Sequence, residues 1–188
     1  MEAVRVLRRH APRRLLLNHM LWNVVMPPIW RGAPGLVSQP SRVVFVCLGN
    51  VCRSPYAEMR ARQAGLRASS CGLSVDSSVR SPSAAVEAAA ERGIDLSAHR
   101  SRPLKAAEVE PHDLVLVMEP YMLSVTRRRL ERAGTVVSLL GLYGHPTRRP
   151  TPYIPDPHGL PAGVFSLAYE MIDQCVDHLA STWRSTEL

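Results

Sequence analysis

From residue 42 onward, short apolar runs alternate with stretches whose apolar residues recur every three or four positions. Val43–Val46 and Leu114–Met118 are unbroken apolar runs, the pattern of strands buried on both faces. Leu73–Val75 and Val136–Leu140 predict two further strands. Helices are predicted over 54–66, over the alanine-rich 82–92 that Gly93 ends, and over 120–132. Val164, Ala168, Met171, Cys175 and Leu179 mark the buried face of a closing helix. Residues 141–161, rich in Gly and Pro, predict a loop. This alternation implies an α/β fold: one domain at 41–184, with a twisted parallel four-stranded sheet flanked by helices on both faces and a short tail at 185–188. No internal repeat is evident.

Residues 1–40 follow a different pattern. Arg5, Arg8, Arg9, Arg13 and Arg14 precede the apolar run 15–26, and Pro27-Pro28 breaks any helix. The run is too short to cross a bilayer as a helix, which takes about 20 residues. It is expected to be an extension, disordered or peripheral, or to precede a start at Met20 or Met26. Its basic amphipathic character also allows contact with an anionic membrane surface.

The chain's net charge is +7, and residues 1–40, with six Arg and one Glu, carry +5 of it. The remainder is close to neutral, so the high isoelectric point does not imply nucleic acid as a partner; no basic stripe interleaved with aromatics is present. Four cysteines without framework spacing argue against a disulfide scaffold, and Cys47 and Cys52 lack the second Cys/His pair of a structural zinc site. No metal or cofactor is expected.

The chemistry is concentrated at Cys47-Leu48-Gly49-Asn50-Val51-Cys52-Arg53-Ser54-Pro55. The cysteine ends the first strand, and a Gly-containing loop leads into a helix start, with Ser54 expected as cap and Pro55 at the first helical position. A helix N-terminus and a nearby cation favour a thiolate. Successive loop N–H groups form an anion-binding nest. Gly49 and Asn50 are residues that tolerate the left-handed geometry such a loop needs. Arg53 offers a planar fork for two phosphate oxygens. The Ser54 hydroxyl can bond the sulfur. About a hundred residues downstream, Ile154-Pro155-Asp156-Pro157 puts a carboxylic acid on a stiffened loop.

These motifs resemble the low-molecular-weight protein-tyrosine phosphatases, whose V-C-x-G-N-x-C-R-S-P signature matches Val46–Pro55 and whose Asp-Pro pair matches Asp156-Pro157. The resemblance covers roughly 42–184. It implies a nucleophile at Cys47, a phosphate clamp at Arg53 and a general acid at Asp156. Leu48, Gly49, Asn50, Val51, Cys52 and Ser54 would line the phosphate loop. The reaction implied is hydrolysis through a phosphocysteine intermediate. By the same resemblance, Ser77 and His99 support Asn50, and Cys52 is a redox partner for Cys47. The stretches Leu116–Glu119, Tyr143–His145 and Ile154–Pro157 look like the bacterial capsule and exopolysaccharide members, which act on autophosphorylated tyrosine kinases; this implies a tyrosine-phosphorylated protein as partner, and the need for a working thiolate argues for a reducing, cytoplasmic compartment.

Alternatives stay open on the same fold. An arginine phosphatase carries threonine where Val51 stands. A thiol-coupled arsenate reductase needs two more cysteines after the third strand, and residues 119–135 have none. A non-catalytic phosphotyrosine-binding module or membrane adaptor would not need Cys47, Arg53 and Asp156 together. One departure is His158, where many relatives place a tyrosine as an aromatic wall; Tyr56 and Tyr153 are the candidates to replace it.

Overall fold

The computed structural model describes residues 2–25, 40–131, 135–144 and 151–184. Expectations for 26–39, 132–134, 145–150 and the 185–188 tail lie outside the described residues. The elements are α1 (Glu2–His10), α2 (Arg13–Met20), β1 (Arg42–Cys47), α3 (Arg53–Gln63), β2 (Ala68–Gly72), α4 (Ser83–Ala90), β3 (Asp113–Val117), α5 (Pro120–Arg129), β4 (Val136–Leu139) and α6 (Ala162–Arg184). One four-stranded sheet runs in the order β2-β1-β3-β4, and every pairing is parallel. Val43–Val46 and Leu114–Val117 are buried at every position. Successive strand residues point to opposite faces, so helices must cover both. α3 packs against β1, β2 and α6, while α5 packs against β3 and β4.

β1 is central. Its C-terminal end therefore lies between β2 and β3, where open parallel sheets place ligands. Cys47 is the last residue of β1 and pairs with Gly72, the last residue of β2.

Two expectations are corrected. The second strand is Ala68–Gly72, not Leu73–Val75. Its sequence Ala-Ser-Ser-Cys-Gly has no apolar alternation, yet all five residues are buried. They are buried because they are small and because Ser70 is hydrogen-bonded on both sides. The helix after the loop begins at Arg53 with Cys52 in the cap position, so Ser54 is not its cap.

Residues 2–25, expected as a disordered or peripheral extension, form helices that sit against the domain. α1 and α2 are followed by a π-helical turn, Leu21–Val25. Leu7 and Leu15 join the core. Val6 and His10 cover Gly163 at the head of α6, where an added Cβ would meet them at 3.8 and 3.6 Å.

Candidate active site

The β1–α3 loop is held by Asn50. Its φ of 52° makes it the left-handed residue of the loop. Gly49, expected to share that role, is not in the left-handed region. Asn50 accepts this conformation because its side chain is tied on every side. Nδ2 donates to Ser54 Oγ and to Ser70 Oγ, both at 2.9 Å. Oδ1 accepts from the Arg102 backbone N–H at 2.9 Å. His99 Nε2 lies 2.8 Å from the Asn50 carbonyl oxygen, so that nitrogen carries the proton. The loop is fixed from α3, β2 and the 99–102 segment at once.

Ser77, expected as an Asn50 partner, is not one; Ser70 fills that place. Ser77 only accepts a bond from Ser101 at its backbone oxygen. Ser70 also donates to Glu58 at 2.6 Å, and Glu58 pairs with Arg62 at 2.6 Å. A hydrogen-bond chain thus runs from Arg62 through Glu58, Ser70, Asn50 and Ser54 to the sulfur.

Two donors point at Cys47 Sγ: the Asn50 backbone N–H at 3.2 Å and the Ser54 hydroxyl at 3.0 Å. The Ser54 proton alternatively reaches the Cys71 carbonyl at 3.3 Å. Hydrogen bonds to a sulfur stabilise its charged form. Cys47 is 3 % exposed, but that sulfur faces an open cleft of about 510 Å³. Leu48, Gly49, Val51, Cys52, Arg53, Ser74, Asp156 and His158 complete its lining.

Arg53 is 1 % exposed. Nη1 donates to Glu119 Oε1 at 2.7 Å and to the Ile154 carbonyl at 3.0 Å. Nη2 pairs with Asp156 Oδ2 at 2.7 Å. Nε is buried with no partner among the described residues. Burial alone would push the Arg53 pKa down, but the carboxylates of Asp156 and Glu119, and Cys47, more than reverse it and raise it. The guanidinium therefore stays charged, and its pose is set by two carboxylates and a carbonyl. The free Nε adds a donor suited to an anion beside the sulfur.

Asp156 is one-third exposed and also accepts the His158 backbone N–H at 3.2 Å. His158 Nδ1 stands 3.8 Å from Cys52 Sγ. Cys52 is a thiol pushed well above its usual range by burial, then by the negative charge of Cys47 and Asp156. Cys71, beyond the loop, is pushed up to about 12, mainly by burial. All four cysteines are free thiols.

Neither candidate aromatic wall is available. Tyr56 stacks on Tyr169 with ring centroids 3.8 Å apart and bonds Asp173 through its hydroxyl. Tyr153 is buried. Tyr121 is 51 % exposed in the first turn of α5, close enough to Glu119, Arg53, Asp156 and Cys47 for their charges to act on its hydroxyl.

Sequence reasoning missed Glu119, Ser70, Tyr121 and the backbone N–H of Arg102. Glu119 carried a legible signal: an acidic residue directly after a fully apolar strand, at the sheet's ligand end. No metal-ligand cluster is found among the described residues.

A strand ending in a cysteine, a donor-rich loop, a helix and a facing carboxylate on a four-stranded parallel sheet match the architecture of a low-molecular-weight phosphatase. Residues 42–187 match the low molecular weight phosphotyrosine protein phosphatase family, and the chain belongs to it. It is 33 % identical over 138 residues to a probable low molecular weight protein-tyrosine-phosphatase, EpsP, of Ralstonia nicotianae, covering 72 % of this chain and 90 % of EpsP. Vibrio vulnificus Wzb, solved with benzylphosphonate, superposes with a TM-score of 0.68 at 26 % identity, over 77 % of this chain and 99 % of Wzb. The YwlE arginine phosphatase of Geobacillus stearothermophilus superposes with a TM-score of 0.67 at 27 % identity, over 78 % and 94 % of the two chains. No helix among the described residues is long and apolar enough to cross a membrane.

Proposed function

We propose that this protein-tyrosine phosphatase uses Cys47 to take the phosphoryl group from phosphotyrosine in a partner protein, with Arg53 as clamp and Asp156 as general acid. The observation that carries the reading is the sulfur of Cys47, met by two donors at the floor of a cleft that Arg53 and Asp156 also line. Cys47 Sγ attacks phosphorus, and the P–O bond to the tyrosyl oxygen breaks. The Arg53 fork and the loop amides hold the equatorial oxygens, where charge is spread. A bound dianion competes with Asp156 for Arg53. The Asp156 carboxyl group gives a proton to the leaving oxygen. Water next hydrolyses the phosphocysteine, with Asp156 as base, and Glu119 keeps Arg53 in place throughout.

Val51, a β-branched apolar residue lining the cleft, favours an aromatic phosphoester over phosphoarginine. Tyr121 is the aromatic side chain best placed at the rim to meet the substrate ring. His99 and Ser70 support the loop through Asn50, and Cys52 is the thiol nearest in sequence for reversible oxidation of Cys47. A tyrosine-phosphorylated protein is the partner that relatives such as EpsP and Wzb, protein-tyrosine-phosphatases by name, suggest, and an autophosphorylating tyrosine kinase is the form of it we propose. Four free thiols fit a reducing, cytoplasmic setting.

The test is a quench of the full-length enzyme during turnover of p-nitrophenyl phosphate, together with a panel of phosphotyrosine, phosphoarginine and phosphoserine peptides. Phosphate on Cys47 and a preference for phosphotyrosine are expected. Turnover in a Cys47→Ser variant refutes the nucleophile, and preference for phosphoarginine refutes the substrate.

Contact with an anionic membrane surface rests on a second observation. Leu17, Met20, Leu21, Val24 and Val25 are exposed along α2 and its π turn, Leu17 by 64 %, with Arg13 and Arg14 exposed at their head. An apolar row capped by cations suits a headgroup layer. Sedimentation with phosphatidylglycerol vesicles, but not with phosphatidylcholine alone, is expected, and Leu17→Asp with Leu21→Asp should abolish it. Equal sedimentation of that variant, or none of the wild type, refutes the contact.

A further inference from the structure

The first twenty-five residues lie outside the family match, which begins at residue 42. Their inner face nevertheless reaches the loop that carries Asp156. Asn23 Nδ2 donates to the Tyr153 carbonyl at 2.8 Å, and the Tyr153 N–H donates to Asn23 Oδ1 at 2.9 Å. One side-chain amide thus satisfies both backbone groups of a buried residue, as a neighbouring strand would. Asn23 is itself buried and oriented by His19, whose Nδ1 lies 3.0 Å from Asn23 Nδ2.

The next residue is tied as well. The Ile154 N–H donates to the Met118 carbonyl at 3.0 Å, and the Ile154 carbonyl accepts from Arg53 Nη1. Pro155 has no N–H, and Asp156 follows. The backbone leading to the acid is therefore held at two consecutive residues: Ile154 by the domain itself, Tyr153 by the N-terminal arm. Without Asn23, two buried backbone groups would lose their partners and be left unsatisfied. The loop would move to find water.

We propose that Asn23 is a positioning residue for the general acid, acting through the Tyr153 backbone to hold Asp156 over the phosphate site. This rests on the reading of Asp156 given above. Asn23 touches neither substrate nor sulfur; its effect is on where the carboxyl group sits when the leaving oxygen needs a proton.

The experiment compares kcat/KM of full-length wild type, Asn23→Ala, Asn23→Ser and Asp156→Asn on p-nitrophenyl phosphate and on phenyl phosphate, because kcat/KM reports the steps up to departure of the leaving group and not the later hydrolysis of the phosphocysteine. The nitrophenolate leaves readily without a proton, whereas phenolate does not. Misplacing the acid should lower kcat/KM on phenyl phosphate by about 10-fold or more, with a smaller change on p-nitrophenyl phosphate. A merely structural loss would remove active enzyme and lower both rates equally, leaving their ratio at the wild-type value. An unchanged ratio in the folded Asn23→Ala variant, or in Asn23→Ser if the alanine variant does not fold, overturns the proposal. Asp156→Asn separates the two ideas: if it leaves the ratio unchanged, Asp156 is not the acid and the proposal falls with that reading. If it changes the ratio and the Asn23 variants do not, only the positioning role is lost.

Discussion

Gly72 tests how tightly the phosphate loop is packed. It ends β2 opposite Cys47, and a Cβ added there would lie 2.6 Å from Val75 Cγ2, 2.8 Å from the Leu48 carbonyl oxygen and 3.0 Å from the Asn50 nitrogen. The valine can turn away. The two backbone atoms belong to the loop and cannot. Gly72 cannot retreat either, since its N–H donates to Arg102 O at 2.9 Å and its carbonyl accepts from Leu104 at 2.8 Å on the other side. Relief requires the loop to shift by roughly half an ångström, and the Asn50 N–H that meets Cys47 Sγ moves with it. Overpacking of this kind costs about 1–3 kcal/mol. For a chain of this size, 1 kcal/mol lowers Tm by about 2–4 °C, so Gly72→Ala should melt roughly 2–12 °C lower. A shift of that scale should also reduce kcat/KM on p-nitrophenyl phosphate by about 10–100-fold. Gly49→Ala is the control for stability, because its Cβ would meet only Val51 Cγ2, at 3.7 Å. Thermal melts and steady-state kinetics on both variants check the reasoning. A Gly72→Ala enzyme with wild-type Tm and wild-type kcat/KM would refute it.

Three further outcomes are expected. Ser70→Ala removes a partner from both Asn50 and Glu58 and should destabilise by about 1–3 kcal/mol, whereas Ser77→Ala should be near neutral; urea unfolding of the pair distinguishes them. Arg53→Lys supplies charge without the fork and cannot meet Glu119, Asp156 and phosphate together, so kcat/KM should fall at least about 10²-fold; near-normal kinetics would remove the bidentate grip. His19 has a pKa lowered from 6.5, first by burial and then by the chain's terminal amine, so the unfolded chain binds its proton more readily. The stability His19 contributes is full above about pH 6.5 and declines as pH falls below it. Relative to His19→Gln, wild-type Tm should therefore drop on acidification from pH 7 to pH 5, and parallel curves would show that His19 is not held neutral.

The cysteine loop and the carboxylate that shares its cleft were legible in the sequence because each is a local signal: a strand, a turn and a helix start in one case, Pro-Asp-Pro in the other. β1 and β3 were legible because buried parallel strands are unbroken apolar runs, and β4 because Val136, Val137, Leu139 and Leu140 flank a single serine, Ser138. β2 was not, because its burial comes from small side chains and a serine that bonds across the chain. The same cause misdirected the choice between Ser77 and Ser70: which serine reaches Asn50 depends on the register of β2 against β1, which no local pattern encodes. Glu119 was visible as a residue, but its contact with Arg53 spans the sheet. The N-terminal arm read as an appendage because its arginines and exposed leucines dominate the pattern, while the residues that seat it, Leu7, Leu15, His19 and Asn23, are spread singly among them.

The ties around Asn50 also set an order of events during synthesis. Residue 50 leaves the ribosome early, yet its conformation depends on groups at 70, 99 and 102, and the acid opposite comes at 156. A nascent chain therefore carries its reactive cysteine for more than fifty residues of elongation before the cradle around it can close. Hydrolytic competence arrives all at once, late in translation, and fragments ending ahead of 102 should be inert.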